Sequence, residues 1–114
     1  MRRRAVALLD ALGSAETELS ILITDDGEIR ELNRRYRRLD RATDVLSFSM
    51  GGALLGDVVI SAETAARRAL GRLDRELTCL LVHGVLHLLG HDHKKPAERR
   101  LMRARERALL RRLA

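Results

Sequence analysis

Apolar residues recur along this chain with two different periods, and the switches between them mark out the elements. From Arg2 to Leu12, Val6, Leu8, Leu9 and Leu12 fall at roughly helical spacing, and Gly13 follows as a stop, which predicts a first helix. Glu18 to Thr24 is short, apolar and β-branched, and reads as a mostly buried strand. Asp25 with Glu28 has the form of a capping box, after which Ile29, Leu32 and Tyr36 mark the buried face of a helix ending near Arg38. The other face of that helix carries Arg30, Arg34, Arg35, Arg37 and Arg38. Asp44 to Ser49 and Asp57 to Ser61 read as two further strands, separated by Gly51, Gly52 and Gly56, which can pair through that loop.

The second half of the pattern is helical. Ser61 is the expected N-cap of a helix running to about Leu70, and Asp74 that of the next. Leu77, Leu80, Leu81, Leu86 and Leu88 cover so much of this second helix that it belongs at the centre of the fold. Pro96 suits the first turn of a last helix whose apolar positions are Leu101, Leu109, Leu110 and Leu113, with the arginines between them as a solvated face. No internal repeat, low-complexity tract or linker interrupts the series, so residues 1–114 are expected to form one domain.

Composition narrows the class. Hydrophobic residues make up 46% and charged residues 33%, which suits a globular domain, while aromatics are only 2%, namely Tyr36 and Phe48. The core must therefore come from Leu, Val, Ile and Ala, and a bound metal would add to its stability. No apolar run is long enough to span a bilayer, and Asp10 with the lack of a cleavage signature argues against a signal peptide; no membrane association is expected. Cys79 is alone, so it forms no internal disulfide, packs in the core and is consistent with a reducing, cytoplasmic location. A net charge of +6 points to a polyanionic partner. Of the 22 basic residues only Lys94 and Lys95 are lysine, a bias that suits bidentate phosphate contacts and equally follows genome composition.

The chemistry is concentrated between His83 and His93, where all four histidines lie. His83 and His87 are four apart and so share one helix face, close enough for both imidazoles to reach one ion. Gly90 can take the left-handed conformation that ends a helix, and His93 can then return as a third ligand. Three histidines leave a fourth coordination position open, which favours a catalytic metal over a structural one. The spacing is also that of the metzincin proteases, except that Gly84 stands where those enzymes carry their general base glutamate. His91 falls outside the ligand spacing and lines the pocket or faces solvent.

The same residues resemble a known family, the YbeY-type endoribonucleases that act in rRNA maturation. His83-Gly84-x-Leu86-His87-Leu88-x-Gly90-His91-Asp92-His93 fits the hallmark of that family at every specified position. Asn33, Tyr36, Arg37, Asp40 and the run from Thr43 to Phe48 resemble its second signature, and Leu55 to Ser61 its Gly-Asp strand segment. Ala42 and Ser49 replace prolines usual there, and the strand that commonly precedes the first helix is not evident.

The resemblance implies a small zincin-like α+β domain. In it a short mixed β-sheet packs against about four to five helices, with the metal site at the end of a central helix. It further implies one zinc ion per chain on His83, His87 and His93, and single-strand-specific cleavage of RNA, with small-subunit rRNA the expected substrate and ribosome-associated proteins as further candidate partners. By the same resemblance Arg37 is the catalytic arginine, where a guanidinium can clamp a phosphate and stabilise its developing charge. Arg34 and Arg38 are the expected RNA contacts beside it. Asp92 is expected as a partner of a ligand or as a turn former, and the general base stays unassigned, with water or the substrate 2′-hydroxyl as nucleophile. Two other readings compete: an RNA-binding ribosome-assembly protein with structural zinc, and a metallopeptidase, which Gly84 and the basic charge disfavour.

Overall fold

The computed structural model describes residues 1–13, 17–49, 54–90 and 96–113. Among these, five helices and three strands follow in the order α1 (Arg2–Ala11), β1 (Glu18–Thr24), α2 (Asp26–Arg37), β2 (Val45–Ser49), β3 (Leu54–Ser61), α3 (Ala62–Arg68), α4 (Leu73–Leu88) and α5 (Pro96–Leu113). The expected α+β architecture with a mixed sheet is what forms. β3 lies between the other strands, parallel to β1 and antiparallel to β2. The two glycine-linked strands thus pair as expected, in a register that sets Val45 against Ile60 and Ser49 against Gly56.

Central placement explains why the Val58-Val59-Ile60 run of β3 is apolar at every position rather than alternating. Val58 and Ile60 face the main core with Leu8 and Leu9 of α1, Ala65 of α3, Leu80 to Val82, Val85 and Leu86 of α4, and Met102 and Leu109 of α5. Val59 faces the opposite side, where Ile29 of α2 and Leu46 of β2 close a smaller core. β1, by contrast, is an edge strand. Leu19 and Ile21 reach the main core, but Leu22 and Ile23 are exposed, so the expectation of a mostly buried strand fails because only one face and one edge are covered.

Several expected boundaries and faces also shift. In α1 the buried stripe runs through Ala5, Leu8 and Leu9, a strict i, i+3, i+4 set that leaves Val6 outside. Tyr36 does not join the buried face of α2, where buried Asn33 follows Ile29 one turn on, and instead its exposed ring meets Phe48 edge-on at 5.5 Å. Gly56 lies within β3 rather than before it. The strand bulges there, with Glu18 opposite Leu54 and Leu19 already opposite Gly56, and a Cβ at Gly56 would come within 2.3 Å of the Phe48 carbonyl oxygen.

α3 ends at Arg68, short of Leu70, because Leu70 and Gly71 both take positive φ. Asp74 does not cap α4: Arg72 is the N-cap, and the Asp74 carboxylate is occupied by the guanidinium of Arg4. In α5 the inward positions are Met102 and Leu109, seven residues apart, so Leu101 points outward. Cys79 is half-buried rather than fully in the core, and burial pushes its thiol pKa up.

The expected caps form where a side chain had no competing partner. Asp25 Oδ1 accepts from the Glu28 amide at 2.8 Å, although the Glu28 carboxylate takes the Thr24 hydroxyl at 2.9 Å instead of closing the box on Asp25. Ser61 Oγ caps α3 by accepting from the Thr64 amide at 3.2 Å. Since β1 and β3 are parallel and end together at Thr24 and Ser61, α2 and α3 start side by side and share acids. Asp26 accepts from the Ser61 and Thr64 hydroxyls at 2.5 and 2.7 Å, and Glu63 accepts from the Asp26 amide at 2.8 Å. Hydroxyl donation by Ser61 and Thr64, with Arg67 2.8 Å away, holds the Asp26 carboxyl down at about 2.

Candidate metal centre

α4 is positioned by its glycine as much as by its leucines. Gly84 faces the sheet, and a Cβ there would lie 2.7 Å from Val58 Cγ1, 3.1 Å from Ser47 Oγ and 3.3 Å from Val45 Cγ2. With no side chain, the helix backbone approaches the strands closely enough for Ser47 Oγ to donate to the Gly84 carbonyl oxygen at 2.9 Å. One residue before and three after Gly84, His83 and His87 sit half-buried on the α4 surface.

The two imidazoles face each other. Their ring centroids are 4.7 Å apart at 68°, and the two Nε2 atoms converge to 3.1 Å. On its far side His83 Nδ1 meets Glu106 Oε1 of α5 at 2.6 Å. A carboxylate only accepts, so we assign the His83 proton to Nδ1, which leaves the Nε2 lone pair directed at His87. Two imidazole nitrogens bound to one tetrahedral zinc at 2.0–2.1 Å lie about 3.3 Å from each other. The 3.1 Å separation is within a few tenths of that, and the Glu106 contact supplies the carboxylate that commonly orients a ligating histidine. The pair therefore fits a shared metal ion.

Gly90 turns as the pattern requires, with a φ of 93° and its amide donating to the His87 carbonyl at 3.0 Å. His91, Asp92 and His93 lie outside the described residues, and among those described no group of three His, Cys, Asp or Glu side chains gathers round one point. Glu106 is the residue that the pattern did not reveal. It lies 23 positions beyond His83, flanked by Arg105 and Arg107 on a helix whose charges read as a solvated face.

The arginine helix divides into engaged and unengaged members. Arg34 forks onto Glu31 with contacts of 3.0 and 2.5 Å, Arg35 adds a third at 3.5 Å, and Arg30 pairs with Asp40 at 2.8 Å. Hydrogen bonding from Arg34 and Arg30 holds the Glu31 and Asp40 carboxyls below their ordinary range. Arg38, the C-cap of α2 with a φ of 59°, is exposed and forms no ion pair among the described residues.

Arg37 turns toward the sheet. Its Nη2 donates to the Ser47 carbonyl oxygen, and its guanidinium lies 5.3 Å from the Phe48 ring centroid, a cation–π distance. Ser47 thus joins Arg37, through its carbonyl, to the residue next to His83, through its hydroxyl. Buried Asn33 braces this corner by donating to the Arg41 carbonyl at 2.9 Å. The structure therefore connects Arg37 with the histidine helix and leaves Arg34 spent on Glu31.

Comparison with known proteins places the chain in a family. The family model for "Endoribonuclease YbeY" matches residues 3–114. A protein of that name from Anaeromyxobacter dehalogenans is 54% identical over 119 residues, covering 97% of this chain and 62% of the relative. One from Aquifex aeolicus is 56% identical over 98 residues, covering 79% of this chain and 65% of the relative. The chain thus spans less than two thirds of the length of these relatives. The solution structure of TM1509 from Thermotoga maritima superposes with a TM-score of 0.69 at 24% identity, over 98% of this chain and 77% of that one, and so shares the fold. On the extent of these matches, the chain belongs to the YbeY endoribonuclease family.

Proposed function

We propose that this protein is a single-strand-specific, metal-dependent endoribonuclease acting in rRNA maturation in the cytoplasm, with one zinc ion held by His83, His87 and His93. The observation that carries the reading is the convergence of the His83 and His87 Nε2 atoms to 3.1 Å, with Glu106 against the Nδ1 of the first at 2.6 Å. When bound, the zinc supplies Lewis-acid chemistry that polarises a phosphoryl oxygen. Glu106, against the Nδ1 of His83, orients the ring so that its Nε2 faces the ion. Arg37, with one guanidinium nitrogen anchored on the Ser47 carbonyl, has further donors with which to hold the scissile phosphate as its charge develops. Arg38 lies beside it on the same helix end as a phosphate contact, whereas Arg34 would first have to leave Glu31. From their place in the sequence beside His93, His91 would line the pocket or face solvent and Asp92 would partner a ligand or form the turn; small-subunit rRNA is the substrate.

The peptidase reading loses support. The glutamate that serves as base in metzincins has no room at position 84, where even a Cβ would lie 2.7 Å from Val58 Cγ1. Incubation of the zinc-loaded protein with single-stranded RNA, double-stranded RNA and a peptide library tests the assignment. Internal cleavage of the single strand alone is expected; peptide cleavage with intact RNA would overturn it.

A further inference from the structure

The arginines at the other end of α4 take no part in the site above. Between α1, the first turns of α4 and the last turns of α5 lies a cavity of about 810 Å³, lined by Arg4, Arg72, Asp74, Arg75, Arg107 and Arg111. Its aspartate is committed: Asp74 pairs with Arg4 through its carboxylate and also accepts from it through its backbone carbonyl. Arg72, Arg75, Arg107 and Arg111 are exposed and form no ion pair among the described residues. Four like charges around one cavity repel one another, and an anion spanning them removes that repulsion.

We propose that this arginine-lined cavity is a second phosphate-binding site for single-stranded RNA, one that holds the strand at a distance from the His83–His87 pair. The proposal rests on the endoribonuclease reading, which supplies the occupant. Guanidinium groups suit such a strand doubly, since they fork onto phosphate oxygens and stack on unpaired bases. Leu110 and Leu113 in the same wall add apolar surface beneath them.

The two sites lie on one helix pair. α5 crosses α4 with Glu106 against His83 and Arg107 on the cavity side, so a strand can follow the α4–α5 seam. From Arg75 to His87 is twelve residues, about 18 Å along the helix axis and about 120° around it. A stacked strand advances roughly 3.4 Å per nucleotide, so at least about five nucleotides separate the second site from the bond to be cut. RNA shorter than that engages the histidine end alone.

The test uses His87→Ala as a non-cleaving parent and fluorescence anisotropy with single-stranded RNAs of 12 and 4 nucleotides over a range of salt. Adding Arg75→Ala with Arg107→Ala should raise the Kd for the 12-mer at least about tenfold and flatten the log–log salt slope by about 1.4. The 4-mer should be unaffected. Arg2→Ala with Arg3→Ala, an equal loss of exposed charge outside the cavity, should leave the 12-mer close to the parent. Arg75→Lys with Arg107→Lys should recover the salt slope, which separates loss of charge from loss of fold.

Equal weakening by the two alanine pairs would overturn the proposal, as would an equal effect on the 4-mer. Displacement of the 12-mer by poly-glutamate as readily as by polyphosphate would also overturn it, in favour of an acidic protein partner. A parent that binds the 12-mer but ignores Arg75 and Arg107 refutes the second site alone. A parent that binds no RNA removes the endoribonuclease reading with it.

Discussion

Gly84→Ala sets two well-known effects against each other beside the His83–His87 pair. Alanine favours a helix over glycine by roughly 0.5–1 kcal/mol, so on propensity alone the variant should be more stable. The added Cβ, however, would lie 2.7 Å from Val58 Cγ1, 3.1 Å from Ser47 Oγ and 3.3 Å from Val45 Cγ2. Carbon atoms pack best at about 3.5–4.0 Å, so the first contact is short by about 1 Å. Val58 is fully buried in the main core and has no space to withdraw into. Overpacking of this kind costs about 1–3 kcal/mol, and with so short a contact the upper part of that range outweighs the propensity gain, leaving a net destabilisation of up to about 2.5 kcal/mol.

Urea denaturation measures this as a lower midpoint at unchanged m-value. Combining Gly84→Ala with Val58→Ala removes the nearest clashing atom, so the double variant should be at least about 1 kcal/mol more stable than the sum of the single effects implies. Relief of the clash by movement of α4 away from β2 and β3 would also carry His83 and His87 with it, so zinc affinity should fall in the single variant. A Gly84→Ala protein more stable than the parent by 0.5–1 kcal/mol would refute the close-approach argument.

Three other outcomes follow from the same geometry. Glu106→Ala should weaken zinc binding by about 10–100-fold in a chelator competition, with Glu106→Gln, which keeps an acceptor but not the charge, losing less; no change in either would detach Glu106 from the site. The Asp26 carboxyl is held at about 2, below its ordinary 3.8, chiefly by the Ser61 and Thr64 hydroxyls, so its contribution to stability is complete above about pH 4 and is lost as pH falls towards 2. Urea midpoints of Asp26→Asn and the parent should therefore differ most above pH 4 and converge below it, and a gap that widens in acid would reverse the sign of this reasoning. Arg37→Ala should slow single-turnover cleavage at saturating RNA by ~10²–10³, Arg37→Lys should recover binding but not rate, and Arg34→Ala, which removes a guanidinium already held by Glu31, should leave that rate intact; equal behaviour of the two alanine variants would reject the role of Arg37.

What could be read from the chain in advance was whatever depends on near neighbours. His83 and His87 are one turn apart on any helix, Gly90 stops that helix, and Ser61 and Asp25 cap theirs with side chains that reach amides three residues on. The β2–β3 pairing was legible because two short runs with strand character flank a glycine-rich link. Features that depend on distant neighbours were not. β1 has the composition of a buried strand, and only the strand order places it at an edge. Asp74 has the chemistry of a cap, but Arg4, 70 residues away in sequence, takes its carboxylate. Gly84 looked like a missing catalytic base, whereas the sheet beneath it makes it a contact surface. Glu106 is one acid on an arginine-rich helix until α5 crosses α4.

The claim on which the account depends is that the converging His83 and His87 nitrogens hold a metal ion that the protein needs to cut RNA. Single-turnover cleavage of a single-stranded RNA, measured against added zinc for metal-stripped parent and His87→Ala proteins, tests it most directly. The parent should be inactive when stripped and recover fully at one equivalent of zinc, while His87→Ala should stay inactive there. Full-rate cleavage by the stripped parent, or equal recovery in His87→Ala, would contradict the account.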